Sequence, residues 1–473
     1  MSLPVFGSAL PARRVDAAGL PHVDLREVFK LAAPLMATNA VQALLNLTDL
    51  WFIGRLSTDA VAAMGAIYWI LTCAILLFGG VGLAVQTFVA QAHGGRRGAR
   101  ASRALWNALW AALAMVPIFL GLAFSGRFLL HPFGLDPHVE SLALEYWMPR
   151  MGGAFIGSMG WAAMGFFNGI SAVRFTMAIV LTTTITNAIL NQLFMFELGM
   201  GMKGSAWATN VAQIVGVSVA MALFLRGDIG RLYRSKLMWR PSWPVIRAQL
   251  LVGLPIGVMY GADVLGLALS QMMIAQTGAT GAAATQIVMA LTSLAYMPTI
   301  GVALAGTTLV GQSIGVGSRD WANRLGNVVI AMCAAQMALI AVLLLIVGPW
   351  LLPLFVSSGG ASAADVVALG LVLLWPAAAY QIFDGLYCGS SFCLRGAGDT
   401  RVPAATALCL SWFLFVPLAH TLIFAPGQGW IDGLPQYGLG AKGGWLALMI
   451  YCTLLGCSMF WRWRHGAWRL MRL

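Results

Sequence analysis

Apolar runs of about 20 residues, separated by short charged or Gly/Pro/Ser-rich breaks, recur along the whole chain. One such run is long enough to cross the hydrocarbon core of a bilayer as an α-helix, whereas a membrane β-barrel shows alternating segments of about ten residues. The chain is 60% hydrophobic and only 9% charged, which leaves too little polar surface for a soluble globule of 473 residues. The pattern predicts an all-α integral membrane protein.

Twelve transmembrane helices fit these runs, and the longest basic connection follows the sixth helix. The helices are predicted near residues 28–54, 60–90, 105–125, 141–167, 174–196, 204–225, 247–275, 282–311, 325–352, 364–394, 403–424 and 441–461. The predicted organisation is a tail over 1–27, a six-helix bundle over 28–225, a basic linker over 226–246, a second bundle over 247–461 and a basic tail over 462–473.

Basic residues in the connections predict the orientation, because Lys and Arg accumulate on the cytoplasmic side of a membrane protein. Of the 28 Lys and Arg residues, 23 fall in the two tails and the even-numbered connections. Both termini are therefore expected in the cytoplasm, with the chain in the cytoplasmic (inner) membrane and no cleavable signal before the first helix. The net charge of +12 follows from this topology and the anionic inner leaflet, which argues against nucleic acid as a partner. The remaining basic residues, placed outside, are Arg55, Arg127, Arg150, Lys203 and Lys442.

The two predicted bundles repeat one another in sequence. The segment around Pro34 matches the segment around Pro255 at an offset of 221 residues, and the segment containing Gln91 has its counterpart at the same offset. Farther along, the segment ending at Arg174 matches the one ending at Arg401 at an offset of 227. Because six helices per copy is an even number, both copies share one orientation, related by a two-fold axis along the membrane normal with a central cleft between them.

Three acidic residues lie well inside the predicted spans, and no Lys or Arg is expected at the same depth. They are Asp49, Asp263 and Asp384. An ionised carboxylate at mid-bilayer costs a few kcal/mol or more, so each acid must be protonated, paired with a cation or exposed to a water-filled cavity. The acids therefore predict a cation site. Protonated carboxyls that only hydrogen-bond neighbouring helices are the structural alternative.

The first of these acids belongs to a polar stripe in the stretch Leu31 to Gly54. Asn39, Gln42, Asn46 and Asp49 are spaced by three, four and three residues, which places them along one side of a helix. A polar stripe in a membrane helix must face protein or water. We expect it to line one wall of the central cavity.

Further polar groups accompany the acids at helical spacing. Tyr380 lies one turn before Asp384, Asn187 and Asn191 are one turn apart on the fifth helix, and Thr209 lies on the sixth. Such oxygens can replace the hydration shell of Na⁺, whereas a proton needs only a carboxyl group. These residues fit either coupling ion. For the asparagine pair, interhelical hydrogen bonding is nearly as good an explanation as ion binding.

Two prolines occupy equivalent positions in the first helix of each bundle and predict bends that could reshape a cavity, although static kinks are equally common. These are Pro34 and Pro255, and Gln271 of the seventh helix joins them in the predicted cavity lining. The six histidines and seven cysteines show no metal-ligand or catalytic spacing, and no phosphate-binding loop is present. We therefore expect that the chain is not an enzyme and binds no cofactor. The energy for transport is expected from an ion gradient or from another subunit.

Several of these motifs resemble the multidrug and toxic compound extrusion (MATE) transporters, in particular the NorM-like branch, over essentially all twelve helices. The resemblance implies a V-shaped cavity between the two bundles and the export of organic cations and other amphipathic toxins, by a monomer surrounded by lipid. It is carried by the pattern from Pro34 to Asp49 and Gly54, VAQAHG after the second helix, NGxxxxR at Asn168 to Arg174, GLPIG at Gly253 to Gly257, and YQIFDG with LRGAGDTRVP at Tyr380 to Pro403.

The resemblance also implies two cation sites. The C-terminal site is Asp263 with Tyr380 and Asp384, and the N-terminal site is Asp49 with Asn187, Asn191 and Thr209, either of which could hold Na⁺. Two positions depart from the branch, since Asp263 stands where a longer Glu is usual and Thr285 where many members have His. The shorter acid favours protons over Na⁺ as the coupling ion.

Two other functions fit part of this pattern. An exporter of a lipid-linked saccharide or a dedicated metabolite would have the same architecture, but it predicts a cavity lined by many basic residues. A passive cation channel belongs to a different class and would conduct without saturation or exchange.

Overall fold

The computed structural model describes residues 10–16, 19–131, 136–355 and 361–471, so that parts of the predicted tails 1–27 and 462–473 lie outside the described residues. Within those ranges all regular secondary structure is helical apart from one short β-hairpin, which confirms the predicted all-α membrane fold. The helices are α1 (Leu25–Gly54), α2 (Thr58–Gly94), α3 (Gly98–Ala114), α4 (Val116–Phe124), α5 (Gly126–Leu130), α6 (Pro137–Gly152), α7 (Ala154–Gly169), α8 (Val173–Asn191), α9 (Gly201–Leu225), α10 (Gly227–Leu232), α11 (Trp243–Thr277), α12 (Ala279–Val316), α13 (Arg319–Leu351), α14 (Ala361–Ala397), α15 (Arg401–Cys409), α16 (Val416–Ile423) and α17 (Ala441–His465).

Every predicted span coincides with helix, with ends that differ by a few residues. Among the described residues, 11 helices are long and apolar enough to cross a membrane. The fourth span falls short by this measure because it is divided at Gly153 into α6 and α7, each of 16 residues. Pro149 and two successive glycines, Gly152 and Gly153, occupy this break, where proline removes a backbone donor and glycine adds freedom.

The outer surface carries large apolar side chains, as expected of a protein whose solvent is lipid. Phe413 is 82% exposed, and Trp350 and Trp375 are each 70% exposed. In water such a surface would drive aggregation, whereas in a bilayer it costs nothing.

Close glycine packing relates the two halves as the sequence repeat predicts. A Cβ added at Gly80 of α2 would lie 2.8 Å from the Cα of Gly257 in α11, and one added at Gly301 of α12 would lie 2.6 Å from the Cα of Met36 in α1. Gly80 and Gly301 differ by 221 positions, as do Met36 and Gly257. The second helix of each half thus crosses the first helix of the other half at the same place, which agrees with the predicted two-fold axis.

Contacts between the halves concentrate at one end of the molecule. We call this the tail end, because it carries the hairpin before α1 and the residues after α17. Farther from the tail end, the halves are still in contact, since Cys73 Sγ lies 3.9 Å from the Gly261 carbonyl oxygen. Beyond that level Gln42 and Asn46 of the polar stripe are exposed. The halves therefore diverge into the V-shaped central cavity.

The predicted N-terminal tail is partly folded onto the second half. Strands β1 (Arg13–Val15) and β2 (Pro21–Val23) pair antiparallel. Trp321 Nε1 at the start of α13 donates a hydrogen bond of 2.9 Å to the Pro11 carbonyl oxygen. The hairpin thereby connects the first helix of one half to the third helix of the other.

The basic linker between the halves also packs against the helices. It contains α10 and a 3₁₀ turn at Ser235–Leu237. Ser102 Oγ donates to the Tyr233 carbonyl oxygen at 2.7 Å, and Trp106 Nε1 donates to the Ser235 carbonyl oxygen at 2.8 Å. These bonds attach the linker to α3, so that it follows the first half closely.

Candidate functional site

The N-terminal acid sits in a network of amide and hydroxyl groups. Asp49, only 7% exposed, accepts a hydrogen bond of 2.6 Å from Asn191 Nδ2, and Thr209 Oγ1 lies 3.3 Å from its second oxygen. Asn191 Nδ2 also lies 3.2 Å from Asn187 Oδ1, and Asn187 Nδ2 lies 3.2 Å from Thr209 Oγ1. The structure thus brings together all four residues predicted for this site, from α1, α8 and α9.

This network has the chemistry of a small cation site. The carboxylate, two amide oxygens and a hydroxyl are hard oxygen ligands of the kind that alkali and alkaline-earth cations prefer. Asn191 Oδ1 is buried without a hydrogen-bond partner among the described residues, which leaves an acceptor free next to Asp49. A proton on Asp49 or a dehydrated Na⁺ could each be held here.

Arg150 corrects the expectation that no basic residue accompanies the intramembrane acids. It lies inside α6, two residues before the helix ends, and its Nη1 atom is buried. Its charge acts on the Asp49 carboxylate. Counting Lys and Arg by side of the membrane placed Arg150 with the external residues, although position 150 lies inside the predicted span 141–167.

The C-terminal acid Asp263 is held by phenols. In α11, Asp263 accepts a hydrogen bond of 3.1 Å from the Tyr387 hydroxyl of α14 and a second, short one from the Tyr451 hydroxyl of α17. Asp384, three residues before Tyr387, lies within electrostatic range of Asp263. The two acids therefore lie in one region of the second half.

Tyr380 lies one turn before Asp384 on α14 and within electrostatic range of it. Its ring packs 6.1 Å from that of Trp445, and its hydroxyl interacts with Thr292 of α12. Within the described parts of the chain, no hydrogen bond joins Tyr380 to Asp263 or Asp384. The tyrosines that hold Asp263 are Tyr387 and Tyr451, which the sequence analysis missed.

One of these missed tyrosines has a sequence signal and the other does not. Tyr387 lies seven residues after Tyr380 and three after Asp384, so all three fall on one side of α14. Tyr451 is 188 residues from Asp263 in sequence, and nothing in the local pattern of α17 distinguishes it from a packing residue.

A π-helical segment lies beside each acid site. Gln192–Glu197 follows Asn191 directly, and Leu410–Phe415 follows α15 in the corresponding helix of the second half. In that second segment Ser411 Oγ donates to the Ala262 carbonyl oxygen at 3.1 Å, and Phe415 stacks on Tyr451 with ring centres 5.0 Å apart. Wider turns of this type are frequent at functional sites, since they redirect side chains out of the regular helical register.

The other residues predicted for the cavity differ in burial and hydrogen bonding. Asn39 is half-buried and donates to the Leu35 carbonyl oxygen at 2.8 Å, whereas Gln42 and Asn46 are exposed. Gln271 Oε1 accepts from Gln286 Nε2 at 3.4 Å.

The two predicted prolines lie within unbroken helices. Pro34 is inside α1 and Pro255 inside α11, and each helix continues on both sides. Thr38 Oγ1 donates to the Pro34 carbonyl oxygen at 2.7 Å, which gives this carbonyl a second possible partner in the turn after the proline.

At the tail end, four of the hydrogen bonds between the halves form two pairs related by the repeat. In each pair, a side chain near the end of α2 or α12 donates to a carbonyl oxygen at the end of α14 or α7 in the other half. The bonds are Thr87 Oγ1 to Arg395 O (2.9 Å), Thr308 Oγ1 to Asn168 O (3.0 Å), Gln91 Nε2 to Gly396 O (3.0 Å) and Gln312 Nε2 to Gly169 O (2.9 Å). We call these four bonds the tail-end crossing.

Donors and acceptors of the tail-end crossing follow the offsets of the duplication. The threonines and glutamines differ by 221 positions and the carbonyl residues by 227. A Cβ on Gly94 would lie 2.8 Å from Gln312 Cα, and one on Gly315, its counterpart, would lie 2.9 Å from the Gln91 carbonyl carbon. The crossing is therefore symmetric and tightly packed, and it closes the cavity at the tail end.

Solved structures share this fold. A structure described as the outward-facing conformation of a multidrug resistance MATE family transporter of the MOP superfamily has a TM-score of 0.80 at 20% identity, covering 94% of this chain and 96% of that one. A MOP superfamily transporter from Pyrococcus furiosus, described as having a binding pocket of reverse polarity and a different function, has a TM-score of 0.79 at 20% identity, with the same coverage of both chains.

Curated relatives extend over nearly the whole chain. A probable multidrug resistance protein NorM of Mesorhizobium japonicum is 27% identical, covering 96% of this chain and 97% of the relative. One from Pseudomonas aeruginosa is 29% identical, covering 93% of this chain and 90% of the relative.

The family model MatE matches the chain twice, over residues 34–193 and 255–421. The two matches begin 221 residues apart, at Pro34 and Pro255, which is the offset found in the sequence repeat. Together they cover more than half of the chain, one match in each half. The chain therefore belongs to the MatE family, whose members are membrane transporters and not enzymes.

Proposed function

We propose that the chain is a multidrug efflux antiporter of the cytoplasmic membrane, which exports cationic, amphipathic compounds in exchange for external Na⁺ or H⁺. The observation that carries this proposal is the presence of a separate carboxylate site in each half, Asp49 in the first and Asp263 with Asp384 in the second. Relatives named as multidrug resistance proteins support the substrate class.

The mechanism follows from competition for the carboxylates. An ionised carboxylate in a low-dielectric cavity attracts a cationic drug, and an ion bound from outside neutralises it. Ion loading then lowers the affinity for the drug, and drug loading lowers the affinity for the ion by the same factor. Release of the ion to the cytoplasm restores the charge and completes the exchange.

The direction of transport rests on the orientation predicted from the basic residues. That orientation puts the tail end in the cytoplasm. The tail-end crossing then closes the cytoplasmic side, and the cavity opens outward. We expect a monomer in contact with membrane lipid to perform the exchange, with no cofactor beyond the coupling ion.

A dedicated metabolite or lipid-linked saccharide is the second candidate substrate. One solved structure of the same fold is described as having a different function, so the fold alone does not set the substrate. Within the parts of the chain that the structure describes, Arg150 is the only basic residue whose charge acts on one of the three acids. This excess of acidic over basic groups favours cationic cargo over polyanionic cargo.

The test is transport in proteoliposomes with the two gradients imposed separately. Reconstituted protein should expel a fluorescent organic cation when an inward Na⁺ or proton gradient is imposed, and one of the two should suffice. Current without drug exchange would instead identify a passive channel. Failure with both gradients would contradict the proposal.

A further inference from the structure

The Asp49 site has a basic neighbour that the polar network does not use. Asn210 Nδ2 of α9 donates a hydrogen bond of 2.6 Å to the carbonyl oxygen of Pro149, the residue before Arg150. The residue before Asn210 is Thr209, which lies against Asp49. Two successive residues of α9 therefore make these contacts: Thr209 contacts the Asp49 carboxylate, and Asn210 contacts the backbone next to Arg150.

Close packing fixes this arrangement. A Cβ added at Gly153, where α6 ends and α7 begins, would lie 2.5 Å from Asn210 Oδ1. The break between α6 and α7 is thus pressed against α9, and the Arg150 backbone has little room to shift.

The guanidinium group of Arg150 has an unmet hydrogen-bond donor. Its Nη1 is buried without a partner among the described residues, as are Asn191 Oδ1 and Ser205 Oγ. Buried polar atoms without partners are uncommon, because each costs the desolvation of a polar group. The ion pairs found within the described ranges, at up to 4.0 Å, do not include one between Arg150 and Asp49. Tyr146, one turn before Arg150 on α6, lies between the two groups: its hydroxyl is a hydrogen-bond partner of Arg150 and is within electrostatic range of Asp49.

These observations define a charge switch. With Asp49 ionised, the pair carries no net charge and a cationic drug can approach the carboxylate. With Asp49 neutralised by Na⁺ or H⁺, the Arg150 charge is left uncompensated in a low-dielectric region, where like charges repel strongly.

We propose that Arg150 converts ion loading at Asp49 into drug release, by repelling a cationic drug once the carboxylate is neutralised. This inference rests on the proposed ion–drug exchange and adds a repulsive element to it. Arg150 is then a specificity-determining residue, because the repulsion acts on cationic drugs and spares neutral ones.

The experiment measures binding of tetraphenylphosphonium, a permanent cation, to the full-length protein in lipid nanodiscs. The affinity is determined with and without saturating coupling ion, for wild type, Arg150→Gln and Arg150→Lys. Arg127→Gln, which removes an exposed external arginine, is the matched control.

We expect the ion to lower the affinity of wild type, Arg150→Lys and the control by about tenfold or more, and that of Arg150→Gln by less than about threefold. A full drop in Arg150→Gln contradicts the role of Arg150 alone. An equal loss of the drop in Arg150→Gln and Arg150→Lys also contradicts it, since it would show that shape and not charge matters. No drop in wild type contradicts the ion–drug exchange itself, and with it this role.

Two further variants test the repulsion by Arg150 without any bound ion. Asp49→Asn leaves Arg150 uncompensated and should weaken tetraphenylphosphonium binding, and Asp49→Asn combined with Arg150→Gln should restore most of the lost affinity. Failure of the double variant to recover, when it folds as judged by its melting temperature, would overturn the switch. A neutral phosphine oxide of the same size should bind wild type, Arg150→Gln, Asp49→Asn and the double variant alike.

Discussion

The tail-end crossing and the acid sites come from the same duplicated sequence. The repeat is preserved at the tail-end crossing and lost at the acid sites. At the tail end the four bonds between the halves obey the offsets of 221 and 227 residue by residue. At the acid sites the correspondence is lost. The counterpart of Asp49 is Ser270, and those of Asn187 and Asn191 are Leu414 and Leu418.

This difference shows that the contacts that close the cavity have kept the symmetry of the repeat, whereas the groups proposed to bind an ion or a drug have not. Closing one end of a two-fold bundle requires both copies to make the same contact, since each helix pair meets its partner across the axis. Binding an ion or a drug requires only that groups of the right chemistry face the cavity. The first half therefore holds its carboxylate with amides and a hydroxyl, whereas the second half holds Asp263 with two phenols.

The largest effect is expected from neutralising one acid in each half. Asp49→Asn and Asp384→Asn should each insert normally but lower gradient-driven drug export by about 100-fold or more, because asparagine cannot carry the charge that ion and drug share. Export in membrane vesicles measures the effect, with Asp432→Asn in an exposed connection as the control. Full activity in both variants would show that neither site couples transport.

Added volume at the tail-end crossing tests its symmetry. Gly94→Ala and Gly315→Ala should each destabilise the protein by about 1–3 kcal/mol, and by similar amounts, because each new Cβ overlaps the partner helix. Thermal denaturation in detergent measures the loss. Gly121→Ala is the control, since a Cβ there meets no atom within 4 Å. A loss at one glycine only would break the symmetry that we describe.

The two tyrosines that bond Asp263 can be compared with Tyr380, which the family resemblance implies as a ligand, by their effects on ion binding. Tyr387→Phe and Tyr451→Phe should each change the ion concentration for half-maximal export by about tenfold, because a hydrogen bond to a charged group contributes about 1.5–3 kcal/mol. Tyr380→Phe should have a smaller effect, as its hydroxyl interacts with Thr292. A larger effect at Tyr380 would contradict this ranking and support the ligand set that the family resemblance implied.

The smallest effect is expected at the threonines of the tail-end crossing. Thr87→Val should cost about 1 kcal/mol, the contribution of one hydrogen bond. Thr308→Val should cost roughly twice as much, because Thr308 Oγ1 also accepts from Gln86 Nε2 at 2.9 Å. Equal losses of melting temperature in the two variants would show that the Gln86 bond adds no stability to the second half of the crossing.

The architecture could be predicted from the sequence because the bilayer imposes a strict length and polarity on each span. The duplication was also visible, since matched motifs such as those at Pro34 and Pro255 recur at one offset. The break between α6 and α7 was not predicted, because a continuous apolar run does not reveal where proline and glycine divide it.

The acid sites were only partly predictable, because their partners come from distant segments. Asp49 and Asn191 are 142 residues apart, and only the family resemblance connected them. Local spacing placed Tyr380 with Asp384, but it could not show that its hydroxyl turns toward Thr292. Arg150 was assigned by its side of the membrane and not by its neighbours, so its proximity to Asp49 required the structure.

The most direct test of the account is the release of the coupling ion when a drug binds. Purified protein in unbuffered detergent solution, or loaded with radioactive Na⁺, is mixed with saturating tetraphenylphosphonium, and the protons or Na⁺ set free are counted. We predict release from wild type and a clear reduction in both Asp49→Asn and Asp384→Asn, since each half contributes a carboxylate. Drug binding with no ion released from wild type would contradict the exchange at its centre.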